Sequence, residues 1–181
     1  MNVEQLQKTL RASQYAEQVL GIHRNLIEQD YAIDQFLLPL STEKIQEFVE
    51  VALCEIQDEQ VWMREMRILH ARLMFRWIWQ DANKLTDVIT LTRELSDFAD
   101  IAICMAKKFA YAPLVAKHGE PIGYNGKLQD LIVIAMGKLG AQELNLSSDI
   151  DLIFAFDEQG ETNGRKCIDV QQFCILWGQK L

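Results

Sequence analysis

Proline and glycine are scarce in this chain, three and nine in 181 residues. That excludes collagen-like and low-complexity architectures. Cysteine is sparse and unpatterned: Cys54, Cys104, Cys167 and Cys174 contain no CxxC pair, and His23, His70 and His118 are equally scattered. A disulfide framework or a structural zinc site needs closer, patterned ligands, so inert buried thiols are expected instead. Positive charge is in deficit, with 18 Lys and Arg against 26 Asp and Glu, a net charge of −8 and a pI near 4.9. Such a chain lacks the cationic surface that neutralises phosphates, so nucleic acid is not expected as a partner. No apolar run approaches 18 residues, which excludes a transmembrane helix and, with it, membrane partnership by that route. The opening residues, Met1-Asn2-Val3-Glu4-Gln5, are not a basic region followed by an apolar one. No signal peptide is therefore expected, and the cytoplasm is the expected compartment.

What is present is a hydrophobic share of 49%, enough for a packed core. The length suits one domain, or one domain and part of another. The glycines divide the chain. Gly21 alone precedes residue 119, and the other eight follow it. The first two thirds should be mostly helix, and the last third should hold turns and strands. Ile45, Phe48, Val49, Ala52, Leu53 and Ile56 make one apolar stripe, capped by Ser41 or Thr42. A second helix is expected from about Glu59 to Trp79, with Trp62, Met66, Leu69, Leu73 and Trp77 inward and Trp79 facing elsewhere, suited to a domain junction. Arg64, Arg67, Arg72 and Arg76 on this helix read as a solvated face. A third helix, from about Leu85 to Phe109, carries Val88, Ile89, Leu95, Phe98 and Ile101. The first thirty residues also read as helix, with Leu6, Leu10 and Leu20 on its apolar side. Residues 118–131 read as loop, Leu131–Met136 as a buried strand and Asp149–Phe156 as a second strand. Residues 157–164 read as a turn, and Val170–Leu181 as a helix cut off at the chain end. The fold class expected is α+β: a helical region over 1–117, then 118–181 as a different layer.

The chemistry concentrates between Met136 and Leu152. A strand feeds a turn containing Gly137 and Gly140, where the backbone is able to approach a ligand and present N–H groups to phosphate oxygens. Lys138 adds a cation, although a turn lysine is ordinarily just solvated. Ser147 and Ser148 supply hydroxyls. Asp149 and Asp151 share a face if they are on a strand, with Ile150 and Leu152 turned to the buried side. Two neighbouring carboxylates repel unless a cation lies between them, and hard oxygen ligands suit Mg²⁺ or Mn²⁺. A phosphate turn beside such a pair points to phosphoryl or nucleotidyl transfer. A lone Asp-x-Asp is ordinary in so acidic a chain. The weight comes from the order strand, Gly turn, Ser-Ser, Asp-x-Asp. The spacing is not that of a P-loop.

Gly137-Lys138-Leu139-Gly140, Glu143-Leu144-Asn145 and Ser147-Ser148-Asp149-Ile150-Asp151-Leu152-Ile153-Phe154 closely resemble the signature of the bacterial glutamine synthetase adenylyltransferase family. Leu95-Ser96-Asp97-Phe98-Ala99-Asp100 and Gly119-Glu120-Pro121 resemble the helix and loop that precede it there, and the likeness runs on to Gln172-Phe173. The resemblance implies a polymerase β-like nucleotidyltransferase core beginning in 118–181. It implies a chain that carries two such domains, one removing AMP from glutamine synthetase and one attaching it. The position of the motif and the form Asn145-x-Ser147-Ser148-Asp149-Ile150 look like the first, adenylyl-removing copy. In that reading phosphate attacks the AMP–tyrosine linkage and ADP leaves. Asp149 and Asp151 would be the catalytic, metal-binding pair, for Mg²⁺ or Mn²⁺. Gly137, Lys138, Gly140, Ser147 and Ser148 would hold nucleotide or phosphate. Partners implied are glutamine synthetase, a PII signal protein, ATP or ADP, and phosphate. Two departures stand out. Ala141 replaces a second family glycine, harmless if its φ is negative, and the third carboxylate of such sites would lie beyond Leu181, so the 181 residues alone are expected to be inactive. The alternatives are the adenylylating half, a docking module for glutamine synthetase or PII, or a PII uridylyltransferase.

Overall fold

The computed structural model describes residues 1–34 and 36–181. Among the described residues seven helices and four short strands make it α+β, as expected. The chain divides into two compact units: Met1–Phe98 with Gln142–Ser148, and Ala99–Ala141 with Asp149–Leu181.

The first unit is helical. The opening segment, expected as one helix, is two: α1 (Val3–Ala12) and α2 (Gln14–Asp34). Ser13 breaks them apart. It is extended (φ −148°, ψ 117°), and its hydroxyl accepts the Ala16 N–H at 3.2 Å, capping α2. Helix α3 (Thr42–Leu53) is capped by Ser41, and α4 (Glu59–Ala82) by Asp58. The following α5 (Val88–His118) is opened by Asp87, which receives both the N–H and the hydroxyl of Thr90 at 2.9 Å. It runs nine residues beyond the expected end, through Pro113.

α4 is the centre of this unit and packs on α1, α2 and α3. Leu73 to Gln80 are all buried. Trp79, expected at a junction, is instead fully buried among Ala16, Leu20, Ile27, Phe36 and Phe75. The four arginines expected on a solvated face divide: Arg64 and Arg67 are exposed, Arg72 and Arg76 are not. Arg72 makes two bonds to Asp30, at 2.5 and 2.8 Å, and buried Arg76 pairs with Asp34 and reaches the Leu38 carbonyl. Arg64, paired with its neighbour Glu65, and Arg67 keep the expected exposure. Over its second half, Leu73 to Gln80, helices on several sides leave α4 no polar face, whereas in its first half Gln60, Arg64, Arg67 and His70 are exposed. Val88 and Ile89, expected inward on α5, are exposed, while Leu95 and Phe98 are buried.

The second unit holds the rest of α5, β1 (Pro121–Gly123), β2 (Ile132–Ala135), the single turn α6 (Gly137–Gly140), β3 (Leu152–Ala155), β4 (Gly160–Thr162) and α7 (Val170–Gly178). Strands β1 and β4 pair antiparallel, as do β2 and β3. The first pair lies in segments expected to be loop and turn. Three-residue strands with glycines carry no alternation to read. Gly160 is obligatory there, because a Cβ would sit 2.0 Å from the Ile122 carbonyl oxygen. Helix α7 ends at Gly178, short of the expected Leu181. The core of this unit is Ala110, Leu131, Val170, Phe173, Cys174 and Trp177, with Tyr111 tilted on Trp177 at 4.7 Å.

The β2 segment, expected to be fully buried, is covered on one face only. Val133 packs on the core, whereas Ile132 and Ile134 are each 45% exposed and Ile153, opposite Ile134 in register, is 49% exposed. Strand alternation puts these three on one bare face.

Candidate active site

In the second unit the Gly turn and the two aspartates are brought together by the β2–β3 ladder. Its last rung is the Met136 N–H donating to the Asp151 carbonyl at 2.9 Å, so the residue before the turn is bonded to the second aspartate. Asp149, Ile150 and Asp151 precede β3 rather than forming part of it, a correction to the strand expected from Asp149. Both aspartates are exposed, and Ile150, expected on the buried side, is exposed too. Among the described residues neither carboxylate is in an ion pair.

The two glycines of the turn are required for different reasons. Gly137 has φ +55°, in the left-handed region that side chains avoid, with open space where a Cβ would stand. Gly140 would bring a Cβ to 2.5 Å from the Ala135 carbonyl oxygen, so its smallness lets the turn close on β2. Lys138 lies inside this turn. Ala141 has φ −89°, so its methyl is accommodated as expected.

Ser147 and Ser148 belong to the first unit, in the segment Gln142–Ser148. Both hydroxyls donate to Oδ1 of Asn145, at 3.1 and 2.9 Å, and the Ser147 N–H joins them at 3.0 Å. The Asn145 N–H returns a bond to the Ser148 oxygen at 3.2 Å. Asn145 organises this turn, which the sequence reading did not single out. Its signal was present, since Asn followed at two and three residues by Ser is an Asx-turn pattern. Leu144 is buried, and its N–H reaches the hydroxyl of buried Ser96 at 3.2 Å.

The donor chemistry fits a hard divalent cation: two oxygen-only side chains, one residue apart, exposed and outside the ion pairs among the described residues. The pair is part of a coordination shell only. Among the described residues no group of three His, Cys, Asp or Glu side chains is placed to hold a metal. Among them, too, no helix is long and apolar enough to cross a membrane.

Residues 3–181 match the family described as glutamate-ammonia ligase adenylyltransferase. The chain is 78% identical, over its whole length, to a protein of Acinetobacter baylyi named bifunctional glutamine synthetase adenylyltransferase/adenylyl-removing enzyme, of which it spans 20%. It is 36% identical over 98% of its length to the protein of that name from Thioalkalivibrio sulfidiphilus, spanning 18% of it. A Hahella chejuensis protein of the same name is 47% identical over 66% of the chain, which covers 12% of that protein. The chain thus spans about a fifth or less of the length of these curated relatives.

Proposed function

Because the chain belongs to the glutamate-ammonia ligase adenylyltransferase family, we propose that it takes part in nucleotidyl transfer on glutamine synthetase, and that this region removes AMP from an adenylylated tyrosine. The reaction is phosphorolysis. An oxygen of inorganic phosphate attacks the α-phosphorus, and the bond from phosphorus to the tyrosine oxygen breaks. ADP forms, and the phenolate takes a proton from solvent.

The observation that supports this reading is the pair Asp149 and Asp151, exposed and outside the ion pairs among the described residues, just before β3 and bonded through the Asp151 carbonyl to the residue that opens the Gly137–Gly140 turn. Carboxylates left this close without a counter-charge are the arrangement a dication relieves. Asp149 and Asp151 are the residues that would hold Mg²⁺ or Mn²⁺, which when bound supplies charge neutralisation at the α-phosphate. The Gly137–Gly140 turn holds phosphate oxygens, Lys138 adds positive charge, and Ser147 and Ser148 keep the nucleotide-binding role that the family signature implies. A PII signal protein as regulatory partner, ATP and ADP as ligands, and a cytoplasmic location belong to the same reading.

The test is ADP release from adenylylated glutamine synthetase with phosphate and Mg²⁺, using the full-length protein. Asp149→Asn is expected to lower turnover by at least about 100-fold while leaving binding of glutamine synthetase intact. Unchanged turnover in that variant overturns the site. AMP transfer from ATP in place of ADP release overturns the direction.

A further inference from the structure

We infer that Ser96 is a positioning residue for the dicarboxylate, acting through the loop Gln142–Ser148; this rests on the catalytic reading above. Ser96 is fully buried on α5. Its hydroxyl donates to the Thr92 carbonyl at 2.8 Å, one turn back on the helix. That fixes the hydroxyl rotor, so its lone pair accepts the Leu144 N–H at 3.2 Å. Few groups are placed to satisfy a buried backbone N–H in a loop, and leaving it unmade costs about 1–3 kcal/mol.

The rest of the loop is anchored in the same unit. Leu144 is buried, and Leu146 packs on the cluster of Phe36, Phe75 and Trp79. Asn145 gathers Ser147 and Ser148 on its Oδ1, and the Ser148 N–H donates to the Asn145 carbonyl at 3.1 Å. The loop therefore has its backbone held at residue 144 by Ser96 and closed on itself from 145 to 148. Asp149 is the next residue in the chain. With its preceding peptide held, Asp149 has fewer backbone conformations open to it, which favours reproducible metal geometry. A serine that only filled a buried corner of α5 would leave the loop and turnover unchanged when replaced.

The experiment uses the full-length protein with Ser96→Ala, Ser96→Thr and Asp149→Asn. Amide exchange is read by mass spectrometry on peptides covering 142–149 and, as control, α4. Ser96→Ala is expected to speed exchange at 142–149 by at least about ten-fold with α4 unchanged. Its kcat for ADP release is expected to fall about ten-fold at constant KM for adenylylated glutamine synthetase, and its affinity for Mn²⁺, read by electron paramagnetic resonance, to weaken. Ser96→Thr keeps the hydroxyl and is expected to restore the slow exchange, the Mn²⁺ affinity and the kcat together. Unchanged exchange at 142–149 in Ser96→Ala overturns the inference. So does full kcat in Ser96→Ala beside an inactive Asp149→Asn. Full turnover in Asp149→Asn itself overturns the catalytic reading and this inference with it.

Discussion

Glu94 is a carboxylate nearly out of water, 3% exposed, with its Oε2 accepting the Trp77 indole N–H at 2.8 Å. Burial pushes its carboxyl above the ordinary value, while the Trp77 bond and the charge of Arg76 pull the other way. The folded protein thus keeps this proton to higher pH than the unfolded chain does. Stability from the group is fully present below the unfolded carboxylate value and is lost as pH rises through the folded one. Glu94→Gln does not titrate and keeps an oxygen for Trp77. As pH rises above the ordinary carboxylate range, the wild-type melting temperature is expected to fall relative to Glu94→Gln, measured by thermal unfolding in matched buffers. A constant difference over that rise would contradict it. At this scale the sequence was readable wherever a residue type dictates its chemistry. Asp149 and Asp151 offer oxygen donors by residue type, and the negative φ of Ala141 bears out that a methyl is accommodated there. Ser96 and Glu94 were silent, because their roles come from partners 48 and 17 residues away that only the folded chain supplies.

Helix α4 marks where periodicity stops being informative. An apolar stripe identifies a helix with one wet side, and Trp62, Leu69, Leu73 and Trp77 were found inward on that basis. Trp79 fell off the stripe and was buried all the same, since helices pack around α4 and its polar members, Arg76 and Gln80, are themselves enclosed. Ile89 on α5 is the converse: apolar by type, in water by position. Trp79→Ala is expected to cost about 3–5 kcal/mol. Ile89→Ser is expected to stay within about 0.5 kcal/mol of wild type, as exposed positions do. Guanidinium unfolding of both variants checks the contrast, and similar losses would refute it. The helices were legible because caps and stripes are local. Strands β1 and β4 were not, because three residues pair only when a distant partner arrives. The split of α1 from α2 was hidden in one hydroxyl, that of Ser13, choosing the Ala16 N–H.

For the whole chain, composition settled the class and left the partition open. An acidic sequence with an ample hydrophobic share folded as α+β. The two units meet along the sequence inside α5, between Phe98 and Ala99, where neither glycine nor proline signals a change. The bare face of Ile132, Ile134 and Ile153 has a consequence for handling the isolated 181 residues in solution. Each of β2 and β3 has one paired edge and one open edge among the described residues, so an adhesive patch and free ladder groups coincide. At low ionic strength a charge of −8 on every copy keeps molecules apart. Added salt screens that repulsion over about 8 Å near physiological strength and leaves the patch untouched. Solubility is therefore expected to drop as salt rises, with dynamic light scattering reporting growing particles. Ile134→Lys is expected to delay their appearance, and equal growth in that variant would place the adhesion elsewhere. The strand pair that adjoins the two aspartates is thus the colloidal weak point of this chain, a surface whose stickiness is set by the ionic medium rather than by the fold.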